Sequence, residues 1–320
     1  MPSHSALIAN IPEIEALAQG VLVETGSALA AVASGYFCAA GMFPGVLLSE
    51  AALMTAVLGG NVRVFDGRLR QPGCAAKRPR GFTATDCIPE AALVAAPRAV
   101  QAVLIALAYE KGSTPSKVVQ VGVKAAEQAR AKQRAKALRR IAAVGAGAFA
   151  ESTIAHPLLA VAGASQGGAL TLTDLGQVGE LDTTGRILSK TGDGIELATP
   201  WEASTSKAAK GRSAPVVIVA VDGHGRFAAL CAEQALQGMP IDELELLAPF
   251  AAKPVMRGVP KEPPGSALPS RIDLRVRLTR EGVPFEIEAK LTSYGKTKAG
   301  RFALRQDASR RRVERLAAGR

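Results

Sequence analysis

The 320-residue sequence predicts an α+β protein with a helical N-terminal half and a strand-rich C-terminal half. Three observations carry that expectation. Residues 13–60 and 89–146 show apolar, alanine-rich periodicity broken by glycine and proline, the pattern of helices packed through small side chains. Residues 216–231 and 271–291 each hold two short apolar or alternating runs joined by turn residues, the pattern of β-hairpins. Hydrophobic residues make up 48% of the chain but aromatics only 4%, so a substantial core must be built from small aliphatic groups.

In chain order, residues 13–60 read as helices with breaks at Gly35, Gly41, Pro44 and Gly45, and Asn61 to Asp66 alternates as a short strand. Pro89 to Ala146 is helical, with Gly112-Ser-Thr-Pro115 as a break between helices. Gly179 to Leu197 is polar with repeated Gly and Thr and suits a hairpin or loop; Thr199 to Ser213, containing Pro200, reads as a linker. Val216 to Val221 has the uninterrupted apolar character of a buried central strand, and Asp222-Gly-His-Gly225 turns it into Arg226 to Cys231. Arg271 to Leu278 and Val283 to Leu291 alternate around Arg280-Glu-Gly282.

The apolar stretch from Ala28 to Leu48 lacks flanking stop-transfer charges and is broken by glycine and proline, so it reads as a buried helix rather than a membrane span. Met1 to Ile11 has no basic start followed by a long apolar run, so no secretory signal is expected. The four cysteines, Cys38, Cys74, Cys87 and Cys231, show no Cys-x-x-Cys spacing and no nearby histidine. Reduced thiols in a cytoplasmic protein, with no metal and no cofactor, are the expectation.

The net charge of +11 is localised. Glu127 to Arg140 holds six Lys/Arg against one Glu, and Ser293 to Arg320 holds nine against two acidic residues, leaving the rest of the chain nearly neutral. The first stretch is rich in strong helix formers and predicts one exposed basic helix. The second reads as a basic C-terminal tail. Such patches attract acidic partners and polyanions, but no aromatic residues alternate with the charges, so nucleic acid is not the favoured partner.

Four blocks resemble the gamma-glutamyltransferase (gamma-glutamyltranspeptidase) family of the N-terminal-nucleophile hydrolases, in the family's order and over roughly two thirds of the chain. They are Glu24 to Ala33 followed by Pro44, Val62 to Pro72, Ala96 to Gly112, and Gly167-Gly-Ala-Leu-Thr-Leu-Thr-Asp-Leu175. A fifth stretch, Ser213 to Leu230, is similar to the strand that opens the family's small subunit, Thr-Thr-His-x-Ser-Val-Val-Asp-x-Asp-Gly-Asn. The resemblance implies a four-layer αββα sandwich. It also implies a division into a gamma-glutamyltransferase-like domain over 1–292 and the basic tail over 293–320. Within the domain, 1–178 is similar to the large subunit, 199–213 is a linker and 214–292 is similar to the small subunit.

The same resemblance exposes what is missing. Aligning Asp222 and Gly225 places Pro215 where the family has its self-cleaving threonine nucleophile, and proline has neither a hydroxyl nor a main-chain N–H. Ser213 is the nearest hydroxyl and becomes a nucleophile only with a shift of register and cleavage after Arg212; Thr205, Ser206 and the Thr183-Thr184 pair are weaker candidates. His224 is the histidine nearest this point and the candidate general base, while His156 is expected to cap or break a helix. Arg68 falls on the arginine that, by the resemblance, binds the substrate's α-carboxylate, and Arg70 lies two residues on, on the same side of an extended chain. The family's glycine-rich turn reads here as Leu48-Ser-Glu-Ala-Ala-Leu53. Its oxyanion segment reads Glu288 to Ser293, and the chain is shortened between Asp174 and Pro215.

The leading functional expectation is therefore a shortened relative that has lost self-processing and acts as a binding or assembly subunit. Its ligand or partner would be acidic and glutamyl-type, with an acidic protein subunit as one form. The alternatives are an active gamma-glutamyl or related amide hydrolase with a displaced nucleophile such as Ser213, and a polyanion-binding protein.

Overall fold

The computed structural model describes residues 5–57, 61–76, 81–110, 114–176, 181–191, 194–204 and 213–291, and the backbone of 300–307 and 312–316. The chain opens with β1 (Ala6–Ala9), α1 (Pro12–Thr25) and α2 (Ala28–Met42), then the paired strands β2 (Ala51–Ala56) and β3 (Val62–Gly67). Five helices follow: α3 (Ala99–Ala108), α4 (Pro115–Gln128), α5 (Lys132–Val144), α6 (Ser152–Ala162) and α7 (Leu172–Gly176). Next come β4 (Asp182–Thr184), β5 (Arg186–Thr191), β6 (Gly194–Ala198), β7 (Ser213–Val221) and β8 (Phe227–Ala235). The small pair β9 (Met239–Ile241) and β10 (Leu246–Ala248) precedes β11 (Ile272–Thr279), β12 (Pro284–Leu291), β13 (Gly300–Asp307) and β14 (Arg312–Leu316).

Two six-stranded antiparallel sheets stack face to face. The first has the order β1-β7-β8-β2-β3-β4 and the second β14-β13-β12-β11-β6-β5. Alternation along each strand divides its side chains between two cores. Val216, Ile218 and Ala220 of β7 join the core under the helices, whereas Val217, Val219 and Val221 meet Ile272, Leu274 and Ile287 between the sheets.

Helix α2 explains the alanine-rich, aromatic-poor composition. It starts where Ser27 caps it, the Ser27 hydroxyl accepting the Ala30 N–H at 3.0 Å. It is buried on almost every side because it lies between the first sheet and α4. A Cβ at Gly35 would stand 2.6 Å from Ile218 Cδ1, and one at Gly41 would stand 2.2 Å from the Gly122 carbonyl. The second approach, to main chain, requires glycine, whereas the first could be relieved by the end of the Ile218 side chain.

Helix α2 packs on β7 and β8, α3 on β2 and β3, and α4 on α2. Among the described residues the second sheet carries ion pairs away from the inter-sheet core: Arg277 pairs with Glu196 and Glu286, and Asp273 with Arg275 and Lys290. Part of the basic C-terminal segment belongs to this sheet, since β13 pairs along β12 from Leu291↔Gly300 to Glu286↔Arg305. The domain's sheet thus extends past residue 292.

Three local expectations change. Residues 51–56 read as helix but form β2, a central strand between β3 and β8; tertiary pairing overrides the helix propensity of Ala51, Ala52, Leu53 and Met54. The basic stretch 127–140 is not one exposed helix. It breaks at Arg130, whose φ is 58°, and restarts as α5, where the Glu245 carboxylate accepts the Gln133 N–H at 3.0 Å, and Arg134 is buried. His156 neither caps nor breaks a helix: α6 runs through His156 and Pro157, with His156 exposed.

Candidate functional site

Strand register gathers one end of the sandwich into a charged cluster. Ser213 opposes Ala235 at the start of β7, Ala51 opposes both Ala232 and Gly67, and Ile272 opposes Leu291 on the facing sheet. Residues just beyond these ends therefore converge. The parity that sends Val217, Cys231, Ala52 and Val64 into the gap between the sheets assigns Pro215, Glu233, Glu50 and Asp66 to the same side. Where the apolar core ends, the inward positions become polar.

Asp66 is 7% exposed and receives Arg68 N–H (3.0 Å), Arg68 Nε (2.9 Å), Arg68 Nη2 (2.8 Å) and Arg70 Nη2 (3.0 Å). Burial alone would raise its pKa, but the hydrogen bond and charge of Arg68 and the charge of Arg70 outweigh it and hold the carboxyl below its usual range. The Arg68 guanidinium lies 4.1 Å from the Trp201 ring centroid, and the Trp201 indole N–H donates to the Ile272 carbonyl at 3.0 Å. Arg68 and Arg70 thus share one anion, as a bidentate pair on an extended chain can, and that anion is the protein's own.

The second half of the cluster centres on Arg271. Its guanidinium is ion-paired with Glu233 and donates to Ser213 Oγ, and its main-chain N–H reaches Glu50 Oε1 at 3.2 Å. Glu50 is fully enclosed, and burial pushes its carboxyl upward against the opposing hydrogen bonds from Ser270 and Arg271. The main-chain N–H of Glu233 donates to the Glu50 carbonyl at 2.9 Å, which ties β8 to the chain entering β2 within this half.

Pro215 fits its strand for a specific reason. Its carbonyl accepts from Asn10 Nδ2 at 2.8 Å, and the Val217 N–H donates to Asn10 Oδ1 at 2.8 Å. The polar side of Pro215 therefore faces β1, whose ladder ends at Ala9↔Ile218. Past that end no strand asks for the missing N–H, so proline interrupts nothing. Ser213 stands two residues earlier, inside a strand that pairs with β8 from Ser213↔Ala235 onward. Its hydroxyl oxygen accepts a hydrogen bond from a guanidinium, which is permanently charged and cannot act as a base.

His224 lies at the opposite end of β7, exposed in the turn where its N–H donates to Asp222 Oδ1 at 2.9 Å. At about 3.3 Å per residue, nine strand residues separate it from Ser213 by roughly 26 Å. The two candidates do not share a site. Thr183 and Thr184 lie on β4 at the far edge of the first sheet, and Thr205 and Ser206 fall outside the described residues. The structure thus brings together Arg68, Arg70 and Ser213 but adds Asn10, Glu50, Asp66, Trp201, Glu233 and Arg271, which sequence reasoning passed over. Parity within 227–235 and the single tryptophan were the available signals.

The sequence matches no protein-family model and no curated protein. The fold does have solved counterparts. A structure of LmbA2991HD covers 90% of this chain and 78% of its own at TM-score 0.69 and 13% identity. Cephalosporin acylase from Bacillus halodurans covers 90% and 77% at TM-score 0.69 and 12% identity. Gamma-glutamyltranspeptidase from Pseudomonas nitroreducens, complexed with L-DON, covers 58% and 68% at TM-score 0.48 and 19% identity. The chain shares the mixed helix and antiparallel-sheet fold of the first two of these structures, at 12–13% sequence identity.

Proposed function

We propose that this chain is a non-processing protein of the N-terminal-nucleophile hydrolase fold that binds an acidic, glutamyl-type ligand or partner at the Arg68, Arg70 and Arg271 end of the sandwich. The observation that carries the proposal is the strand start itself: Pro215 in the nucleophile's place, locked by Asn10, with the nearest hydroxyl engaged by Arg271. N-terminal-nucleophile chemistry needs a hydroxyl or thiol beside an amine freed by chain cleavage, and neither is supplied at residue 215.

Three guanidinium groups face Asp66, Glu233 and Glu50. Planar guanidinium forks suit a carboxylate ligand, and burial disfavours the charged form of Glu50. Exposed Lys117, Lys124, Arg130, Lys132 and Lys136 on and between α4 and α5 supply a second basic surface for an acidic partner. Arg139 and Arg140 are already paired with Glu127 and Glu151. All four cysteines are free, and a cytoplasmic location is part of the proposal. No single helix among the described residues is long and apolar enough to cross a membrane.

The intact mass of the purified chain under denaturing conditions tests the first half. A single unprocessed mass is expected; two fragments summing to the full chain would overturn it, and a new N-terminus at Ser213 would establish the displaced-nucleophile amidase instead. That second reading rests on Ser213 opening β7 at the cluster. Titration with glutamate, glutathione and polyglutamate, read by Trp201 fluorescence, tests the second half, since Trp201 stacks on Arg68. No change with any of the three sinks the acidic-ligand reading. Binding of nucleic acid with steep salt dependence would favour the polyanion alternative.

A further inference from the structure

A groove of about 920 Å³ opens beside the Gly167 to Leu175 block. Phe82, Ala164, Leu170, Pro254, Val255 and Pro264 form much of its wall, and none of Ser213, Arg68, Glu233 or Arg271 lines it. Its volume falls in the range of small-molecule sites, roughly 300–1,000 Å³.

Two clips hold the walls in place. Gln71 is buried and grips the main chain of Lys253 from both ends of its amide, Nε2 donating to the carbonyl at 2.8 Å and Oε1 accepting the N–H at 3.0 Å. Asp174, 1% exposed, accepts the N–H groups of Gly73 (2.8 Å), Cys74 (3.0 Å) and Thr171 (2.9 Å) and the Thr171 hydroxyl (2.8 Å). All of the polar capacity of these two side chains shown here goes into shaping the cavity. A preformed apolar cavity binds without paying to order its walls.

The rim determines the charge of the occupant. Lys253 is paired with Glu262 at 2.5 Å, whereas Lys261 is exposed and has no ion-pair partner among the described residues. An apolar wall edged by a cation that is unpaired among the described residues matches a molecule with an apolar body and a single anionic end. We propose that this groove binds a small amphipathic anion, such as a short-chain or aromatic carboxylate, with its apolar body against Phe82, Leu170 and Val255 and its charge at Lys261. This site is independent of the Arg68 and Arg271 cluster, so either proposal can fail without the other.

The test is a titration of the full chain with anilinonaphthalene sulfonate, followed by displacement with octanoate. Saturable binding at one site per chain is expected, with enhanced emission that octanoate reverses. Ala164→Trp, at an exposed position that fills the groove, should weaken probe binding at least about tenfold; if its melting temperature falls, Val255→Trp takes its place. Lys261→Glu should weaken it about three- to tenfold, while Lys190→Glu, at an exposed position on β5, leaves it unchanged. Binding that survives Ala164→Trp, or that responds equally to Lys190→Glu and Lys261→Glu, overturns the site. Equal affinity for the uncharged parent anilinonaphthalene overturns the anionic half.

Discussion

Replacing Asp66 with asparagine tests whether the Arg68–Arg70 pair depends on an internal counter-ion. The carboxylate takes four N–H donors at 2.8–3.0 Å, and the side chains of Asp66, Arg68 and Arg70 are 10%, 19% and 14% exposed, so solvent screens the pairs little. Asparagine keeps one acceptor oxygen but turns two N–H donors toward two cations. Breaking a buried pair from one side costs about 3–5 kcal/mol, and the Trp201 stack that Arg68 retains argues for the lower end, about 3 kcal/mol. For a chain of this size that corresponds to a fall of roughly 4–5 °C in melting temperature at neutral pH. The pH dependence has a definite sign. Because the folded-state pKa of Asp66 is depressed, its contribution is complete above the unfolded value of about 3.9 and is lost as pH falls through the folded value. The gap between wild type and Asp66→Asn, measured by urea unfolding, should therefore narrow below about pH 4. A gap under about 1 kcal/mol at pH 7, or one that stays constant into acid, would refute the reasoning.

Glu50 titrates with the opposite sign. Its folded-state pKa is raised above 4.5 by burial, so the folded state binds the extra proton and wild-type stability declines as pH rises from 4.5 through the folded value. Glu50→Gln should lack that component, which unfolding at pH 5 and pH 8 will show; equal changes in the two proteins would count against a buried, proton-binding Glu50. Gly122→Ala places a methyl 2.4 Å from the Phe37 carbonyl and should cost about 1–3 kcal/mol by forcing α2 and α4 apart. Gly20→Ala in α1, with nothing within 4 Å, should instead stabilise by up to about 1 kcal/mol, and thermal unfolding separates the two. Ellman's reagent at pH 8 should label Cys87 alone at a fast rate. Cys38 and Cys231 are buried, and burial with the neighbouring Asp174 pushes Cys74 up to about 11, so a second fast thiol would contradict this packing.

The elements most legible in the sequence were those whose pattern is local. The β7–β8 hairpin was read from apolar runs flanking Asp222-Gly-His-Gly225, and the β11–β12 hairpin from alternation around Gly282. The departure at Pro215 was equally plain, because a proline is visible without coordinates. Strand β2 was not, because Ala51 to Ala56 carries no alternation and becomes a strand only when β3 and β8 supply its hydrogen bonds. The split of the basic helix escaped for a related reason: no glycine or proline marks the break at Arg130, and the cap that restarts α5 comes from Glu245.

Composition, the localised charge, the hairpins and the proline at residue 215 were thus determined by the order of residues along the chain. The assembly of the site was not. Glu50, Asp66, Glu233 and Arg271 come from the approach to β2, β3, β8 and the approach to β11, and what unites them is strand register and period-two parity at one end of two stacked sheets. Whether Arg68 faces a ligand or Asp66, and whether Ser213 meets a base or the Arg271 guanidinium, depends on contacts between segments far apart in sequence. No local pattern encodes those contacts, because they are set by burial and pairing of the whole sandwich.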